Sequence, residues 1–313
     1  MIYDCIYFFN EIDILQIRLA EIGDYVDKII LVEGSHTYSQ NKKISYYTTY
    51  KNIFNKYNDK IIHHIVDMTP LLNNNITDRW EYDYYQKNKI IDILKDLKID
   101  DDDLILISDV DEIPYKNKLS EGTNLINDNN ILFFHYTEFR FFFNYIEDRR
   151  EFVGSFLLKY KKLKTVMDTQ KEIRNKYCHH RTYDNFIMCN KNKNIDIIKN
   201  SGLHLSSFGG PYAVLYKVQS YAHKECDTDS NRIKYCAIYS PEILFNNEEY
   251  RKKINFYDWY NLYILYDLTK VEYIKNKDFI YNYTIDSKLF SEIKNNKEKY
   301  INLFLFNVPP KNI

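Results

Sequence analysis

Asp109 and Asp111 flank Val110 directly after the apolar run Leu104-Ile105-Leu106-Ile107-Ser108, and Glu112-Ile113-Pro114 follows. Two carboxylates at this spacing, just past a buried strand, can converge on one hard cation. Mg2+ and Mn2+ prefer oxygen ligands and often share a site with substrate phosphates. A diphosphate leaving group gains charge as its bond breaks, and a cation neutralises that charge where it develops. The bland alternative is an acidic turn that caps the strand and keeps the surface soluble. Asp100–Asp103, on the other side of the strand, reads as such a solvated run. The apolar run and the Glu-Ile-Pro continuation favour chemistry for Asp109 and Asp111.

Such a pair needs a scaffold, and the first two thirds of the chain alternate strand-like and helix-like segments. Ile2–Phe9 is short, apolar and aromatic, which predicts a buried strand. Asn10 reads as an N-cap, with Asp13 three residues on; Ile14, Leu15, Ile17, Leu19 and Ile22 form a helical stripe, and Gly23 is a stop. Lys28–Glu33 and Lys60–Val66 predict two more strands. His63 and His64 fall on opposite faces of the latter, so they cannot share a metal and read as packing residues. Asp78 to Leu97 predicts a long helix with Asp78 and Glu81 at capping-box spacing and a stripe of Trp80, Tyr84, Ile91 and Leu94. From Ile131 to Tyr160 three aromatic-rich strands follow closely, which favours antiparallel pairing. Residues 161–200 are polar and weakly periodic, Pro211 predicts a helix over Tyr212–Ala222, and the remainder reads as helical and loop-rich.

This alternation indicates an α/β sheet of largely parallel order. In open α/β sheets, ligands bind at the carboxyl ends of the strands. Three polar clusters fall there: Phe9-Asn10-Glu11, Glu33-Gly34-Ser35-His36 and Asp109-Val110-Asp111. His36 follows the second strand in a loop where it either touches a donor or serves the loop itself.

Composition bounds the class. With 313 residues, 45% hydrophobic and 28% charged, the chain can bury a core and is not a disordered polymer. Lys+Arg of 43 against Asp+Glu of 44 argues against a nucleic-acid groove or a basic membrane surface. The 31 Tyr and 19 Phe fit either AT-rich coding bias or a stacking surface. The five cysteines are odd in number and irregularly spaced, which suggests free thiols in a reducing compartment. Cys178-His179-His180 with Cys189 lacks the usual gap of a zinc site. The start MIYDCIYFFNEID has no basic leader, and no apolar run approaches a membrane span, so a cytoplasmic protein is expected. The sequons at Asn75 and Asn282 then read as accidents of an Asn-rich chain.

Several long motifs in one order carry more information than D-x-D alone. The opening DCIYFFNEIDILQIRLAEIGDYVDKIILVEGSHTYS, then DRWEYDYYQKNKIIDIL, LILISDVDEIP and SGLHLSSFGGPYAVLYKVQSYAHKE resemble glycosyltransferase family 17 over roughly residues 3–225. That family includes the β-1,4-mannosyl-glycoprotein 4-β-N-acetylglucosaminyltransferases. The resemblance implies a GT-A-type, Rossmann-like fold with a mixed, mainly parallel sheet flanked by helices. Residues 1–225 would form the nucleotide-sugar-binding and catalytic core, with 226–313 a helical extension packed on it as one domain. It also implies a UDP-sugar donor, most often UDP-GlcNAc, a carbohydrate acceptor, Mn2+ or Mg2+, and inversion at the anomeric carbon.

Residue by residue, the resemblance places Asp111 on the metal and Asp109 on the ribose or the metal's water shell. Phe9, Asn10 and Glu33 stand where such folds hold the nucleoside. Lys87 stands where the family carries a basic residue able to pair with the diphosphate, and His204 is the candidate third metal ligand. Leu203 departs from the family's usual Trp, and the chain shows no N-terminal anchor, which points away from Golgi processing and toward a bacterial or large-virus source. Inversion needs a general base for the acceptor hydroxyl. Glu225 is the first choice, with Glu112 and Glu138 as alternatives; His223 beside Glu225 reads as a surface or packing histidine. Two other readings stand beside this one. A phosphatase of the haloacid-dehalogenase type also sets D-x-D after a strand, but near the N-terminus. A carbohydrate-binding protein on a degenerate transferase scaffold would need neither metal nor nucleotide.

Overall fold

Apolar runs flanked by polar turns become the central strands of one eight-stranded sheet in the computed structural model, which describes residues 1–140, 146–166, 183–190, 194–208 and 216–228. The strands are β1 (Ile2–Phe8), β2 (Lys28–Gly34), β3 (Ile61–Val66), β4 (Leu104–Asp109), β5 (Glu112–Pro114), β6 (Ile131–Arg140), β7 (Ile146–Lys159) and β8 (Ile195–Ser206). The helices are α1 (Ile12–Ile22), α2 (Tyr46–Tyr50), α3 (Thr69–Asn73), α4 (Arg79–Asp96), α5 (Lys116–Leu125), α6 (Tyr160–Val166) and α7 (Tyr183–Asn190), and 3-10 turns span Lys51–Tyr57 and Lys224–Cys226.

Sheet order is β3-β2-β1-β4-β7-β6-β8-β5. The pairings of β1 with β2, β1 with β4, and β2 with β3 are parallel, whereas β4–β7 and β5–β8 are antiparallel. The result is a mixed α/β sheet with a parallel, Rossmann-like half, as the alternation predicts. The chain divides into two compact units, Met1–Glu138 with Glu147–Ser206, and Phe139–Ile146 with Ser207–Ile313. No described helix is long and apolar enough to cross a membrane.

Strand parity sorts the side chains of the parallel half. Tyr3, Cys5, Tyr7, Ile105 and Ile107 share one face and join Ile90, Ile91, Ile93 and Leu94 of α4 in one buried cluster. Each fully buried Ile or Leu there contributes about 1.5–3 kcal/mol. Asp4, Ile6, Leu106 and Ser108 take the alternate positions, and Arg18 of α1 reaches Asp4 and Ser108 on that face.

Several expectations need correction. The N-cap of α1 is Glu11, not Asn10; Glu11 Oε2 instead accepts from the Phe9 and Asn10 amides, at 3.1 and 3.0 Å. Asp78 does cap α4, accepting from the Trp80 amide at 3.0 Å. The buried face of α4 is carried by Tyr82, Asp83, Gln86, Lys87, Ile90, Ile91, Ile93 and Leu94, so Trp80 and Tyr84 stand beside it, tilted against each other at 6.2 Å. The first aromatic run after Ile131 and the start of the second form one ten-residue strand, β6, buried at nearly every position from Ile131 to Phe139. The acidic run is not wholly solvated: Asp103 is buried and pairs with the N-terminal ammonium. His63 is not mere packing, since its Nε2 lies 3.0 Å from Glu33 Oε2. Helix is present at 216–220, and Cys178, His179, His180, Asn282 and nearly all of 226–313 lie outside the described residues.

Candidate active site

Parallel pairing puts the carboxyl ends of β2, β1 and β4 side by side: Glu33 pairs with Phe8, and Asp109 with Tyr7. The three polar clusters therefore share one sheet edge. On β4, Asp109 follows the parity of Ile105 and Ile107 and faces α4. Lys87 Nζ meets it there, 3.0 Å from Asp109 Oδ1 and 3.3 Å from Asp83 Oδ1, over the Tyr7 ring at 5.0 Å. Helix spacing i, i+4 aligns Asp83 with Lys87, so one buried ammonium is shared by two carboxylates.

Asp111 lies past the end of β4 and is buried, with its carbonyl accepting from the Leu205 amide at 2.9 Å. Its carboxylate faces His204, with 4.0 Å between Oδ2 and Nε2. The His204 ring stacks on Phe152 at 4.1 Å, and its buried Nδ1 has no hydrogen-bond partner. The register that delivers His204 is the short β5–β8 pairing, Glu112 opposite His204 and Ile113 opposite Leu203. Leu203, on the alternate parity, is buried in the core.

Glu112 is 2% exposed, and Oε2 accepts from the Asp109 amide at 3.4 Å. Its carboxyl group packs on the bare backbone of Gly154, where a Cβ would come within 2.9 Å of Cδ. The Glu112 carboxylate thus packs under the D-x-D turn, between the Asp109 amide and Gly154.

The second cluster forms around Glu33, which is 0% exposed. Oε1 accepts from Lys43 Nζ at 2.5 Å and the Tyr46 amide at 2.7 Å; Oε2 accepts from Ser45 Oγ at 2.9 Å and meets His63 Nε2 at 3.0 Å. Burial works to raise the Glu33 pKa, but hydrogen bonds from His63 and Lys43 outweigh it and hold the carboxyl below its ordinary value. Both oxygens are thus engaged by the protein, so Glu33 anchors the segment from Lys43 to Tyr47 at the end of β2. Lys43 Nζ also donates to the Phe9 carbonyl at 3.2 Å, tying that segment to the end of β1. Phe9 is partly exposed and Asn10 is buried at that end. His36 Nδ1 lies 2.9 Å from Ser35 Oγ, and burial lowers its pKa.

Among the described residues no group of three or more His, Cys, Asp or Glu is assembled to hold a metal. The expected trio is split, Asp109 toward Lys87 and Asp111 toward His204. The physical reason is backbone placement: Asp109 ends β4 on the parity that faces α4, whereas Asp111 lies beyond the strand beside β8. The carboxylate oxygens nevertheless suit Mn2+ or Mg2+, and the His204 nitrogen turned toward Asp111 is Nε2. Glu225 lies in the second unit, exposed in the 3-10 turn, with Oε1 2.5 Å from His223 Nδ1. Glu138 is buried.

The sequence model described as Glycosyltransferase family 17 matches residues 1–238. The chain belongs to that family. Family 17 membership makes glycosyl transfer its reaction class. Among solved structures, the chain is similar to galactosyltransferase LgtC in complex with donor and acceptor sugar analogues, at 11% identity over 81% of this chain and 100% of that one, with a TM-score of 0.37. An active-site mutant of LgtC is similar at 12% identity over the same shares, with a TM-score of 0.35. No curated protein matches the chain.

Residues without a motif signature also lie around this sheet edge. Arg18, Asp4, Lys43 and Gln86 are all buried and polar. Gln86 Nε2 donates to the Val32 carbonyl at 3.0 Å, joining α4 to β2 beside Lys87. The available signal was a polar residue inside an otherwise apolar stripe, which Arg18 and Asp4 both are.

Proposed function

We propose that this family 17 protein is an inverting, metal-assisted transferase that moves a sugar, GlcNAc by family resemblance, from UDP to a hydroxyl of a carbohydrate acceptor. The observation that carries this reading is the pairing at one sheet edge of Asp109 with Lys87 and of Asp111 with His204. Asp111, His204 and Asp109 are the residues that would hold the cation. Mn2+ or Mg2+ bound there supplies positive charge for the departing diphosphate. Lys87 is a second positive charge, released to phosphate oxygens when Asp109 turns away.

Inversion is a single displacement. The acceptor oxygen bonds to the anomeric carbon as the bond to the diphosphate breaks, and the hydroxyl proton passes to a carboxylate. With Glu112 committed to the Asp109 turn, Glu225 is the candidate base. Its bond with His223 lowers its pKa, so it is a carboxylate at neutral pH.

Calorimetry with UDP and Mn2+ tests the donor site. Wild-type protein is expected to bind UDP in a metal-dependent manner and Asp111→Ala to lose that dependence. Unchanged affinity in the variant would defeat the assignment. A donor-hydrolysis screen across UDP-, GDP- and dTDP-sugars then identifies the sugar.

A further inference from the structure

Arg18 is fully buried, an unusual place for a guanidinium. Its Nε and Nη2 bond the two oxygens of Asp4, at 2.8 and 2.5 Å, and Asp4 is equally buried. Nη2 also donates to Ser108 Oγ at 2.7 Å, and Nη1 to the Glu112 carbonyl at 2.7 Å. Ser108 is the residue before Asp109, and Glu112 is the residue after Asp111. One planar fork therefore grips both ends of Asp109-Val110-Asp111.

The fork enters from the sheet face opposite Lys87. Ser108 and Asp109 are consecutive on β4 and so point to opposite faces. Arg18 holds the α1 side while Lys87 meets Asp109 on the α4 side. Stability alone is a poor reason for this arrangement. Taking two charges out of water costs several kcal/mol per ion, and an apolar pair of similar volume is often as stable or more so. What an apolar pair cannot do is bond a hydroxyl and a carbonyl four residues apart with fixed geometry.

We propose that Arg18, oriented by Asp4, is a positioning residue that fixes the D-x-D turn so that Asp109 and Asp111 face the metal and pyrophosphate of the donor. This rests on the donor-site reading above. Lys at this position keeps the charge but is a single point donor, unable to span Ser108 Oγ and the Glu112 carbonyl together. A neutral pair, Asp4→Asn with Arg18→Met, removes the fork without stranding a buried charge.

The test compares Arg18→Lys and the double variant with wild type by amide hydrogen exchange and by calorimetry of UDP in Mn2+. Exchange is expected to quicken over 104–114 and stay unchanged over 28–34. Metal-dependent UDP affinity is expected to fall about 10–100-fold, the usual loss when a residue orienting a metal ligand is removed. Unchanged exchange over 104–114 in the double variant, or faster exchange with wild-type affinity, would overturn the proposal. A wild-type protein that binds no UDP defeats the donor reading instead, and the exchange data still decide whether Arg18 holds the turn.

Discussion

Asp109 and Asp111 carry the same charge two residues apart, yet they meet different partners. Asp109 lies under the Lys87 ammonium, whereas Asp111 faces an imidazole with an orphaned nitrogen. Under the proposed function, a cation held by both carboxylates would compete with Lys87 for Asp109, and the ammonium would be left to pair with phosphate oxygens. Proton removal is a separate task, which the proposed function gives to Glu225. Glu225→Gln is expected to keep metal-dependent UDP binding while turnover of a saturating donor falls about 100-fold, within the range for loss of a general base. Turnover at the wild-type level in that variant would move the base to another carboxylate.

Strand pairing decides which residues reach the site. β5 is only three residues long, yet its pairing with β8 sets Glu112 opposite His204. Gly202 makes that approach possible: a Cβ there would lie 2.0 Å from the Ile113 carbonyl oxygen and 2.7 Å from Pro114 Cα. Both contacts are backbone, which cannot swing away as a side chain can. Gly202→Ala is expected to lower stability by about 1–3 kcal/mol, the usual cost of forcing extra atoms into a packed site. Because the strain separates β5 from β8, UDP affinity in Mn2+ should weaken in parallel. A wild-type melting temperature in this variant would show that the edge pairing is softer than described.

Stability of the whole molecule carries a pH signature from one group. Asp13, in the first turn of α1, is 8% exposed, and burial raises its pKa to about 7. Its unfolded value is about 3.9, so the folded state holds the proton more tightly. The resulting stabilisation is complete below about pH 4 and is lost as pH rises through about 7. Asp13→Asn removes this dependence, leaving the variant more stable than wild type at pH 8, on the order of 4 kcal/mol, and little changed at pH 4. Melting curves at the two pH values check it; parallel pH profiles for the two proteins would overturn it. Glu33 acts in the opposite direction, since its folded pKa is lowered and its contribution is lost on acidification.

Local chemistry was enough for the α/β class, the central strands and the D-x-D turn. Apolar runs closed by acidic residues, as in Leu104 to Asp111, declare both a buried strand and a polar strand end. The stripe of α1 was equally legible: Ile14, Leu15, Ile17, Leu19 and Ile22 are all buried. The use of each polar residue was not legible, because it depends on partners distant in the chain. Glu33 meets Lys43 and His63, and Glu112 meets Gly154 and the Asp109 amide, none of which the local sequence announces. Arg18 carries no local mark, since its meaning lies in Ser108 and Glu112, some ninety residues away. Periodicity records which face an element buries; only the folded sheet brings together charges that compensate one another.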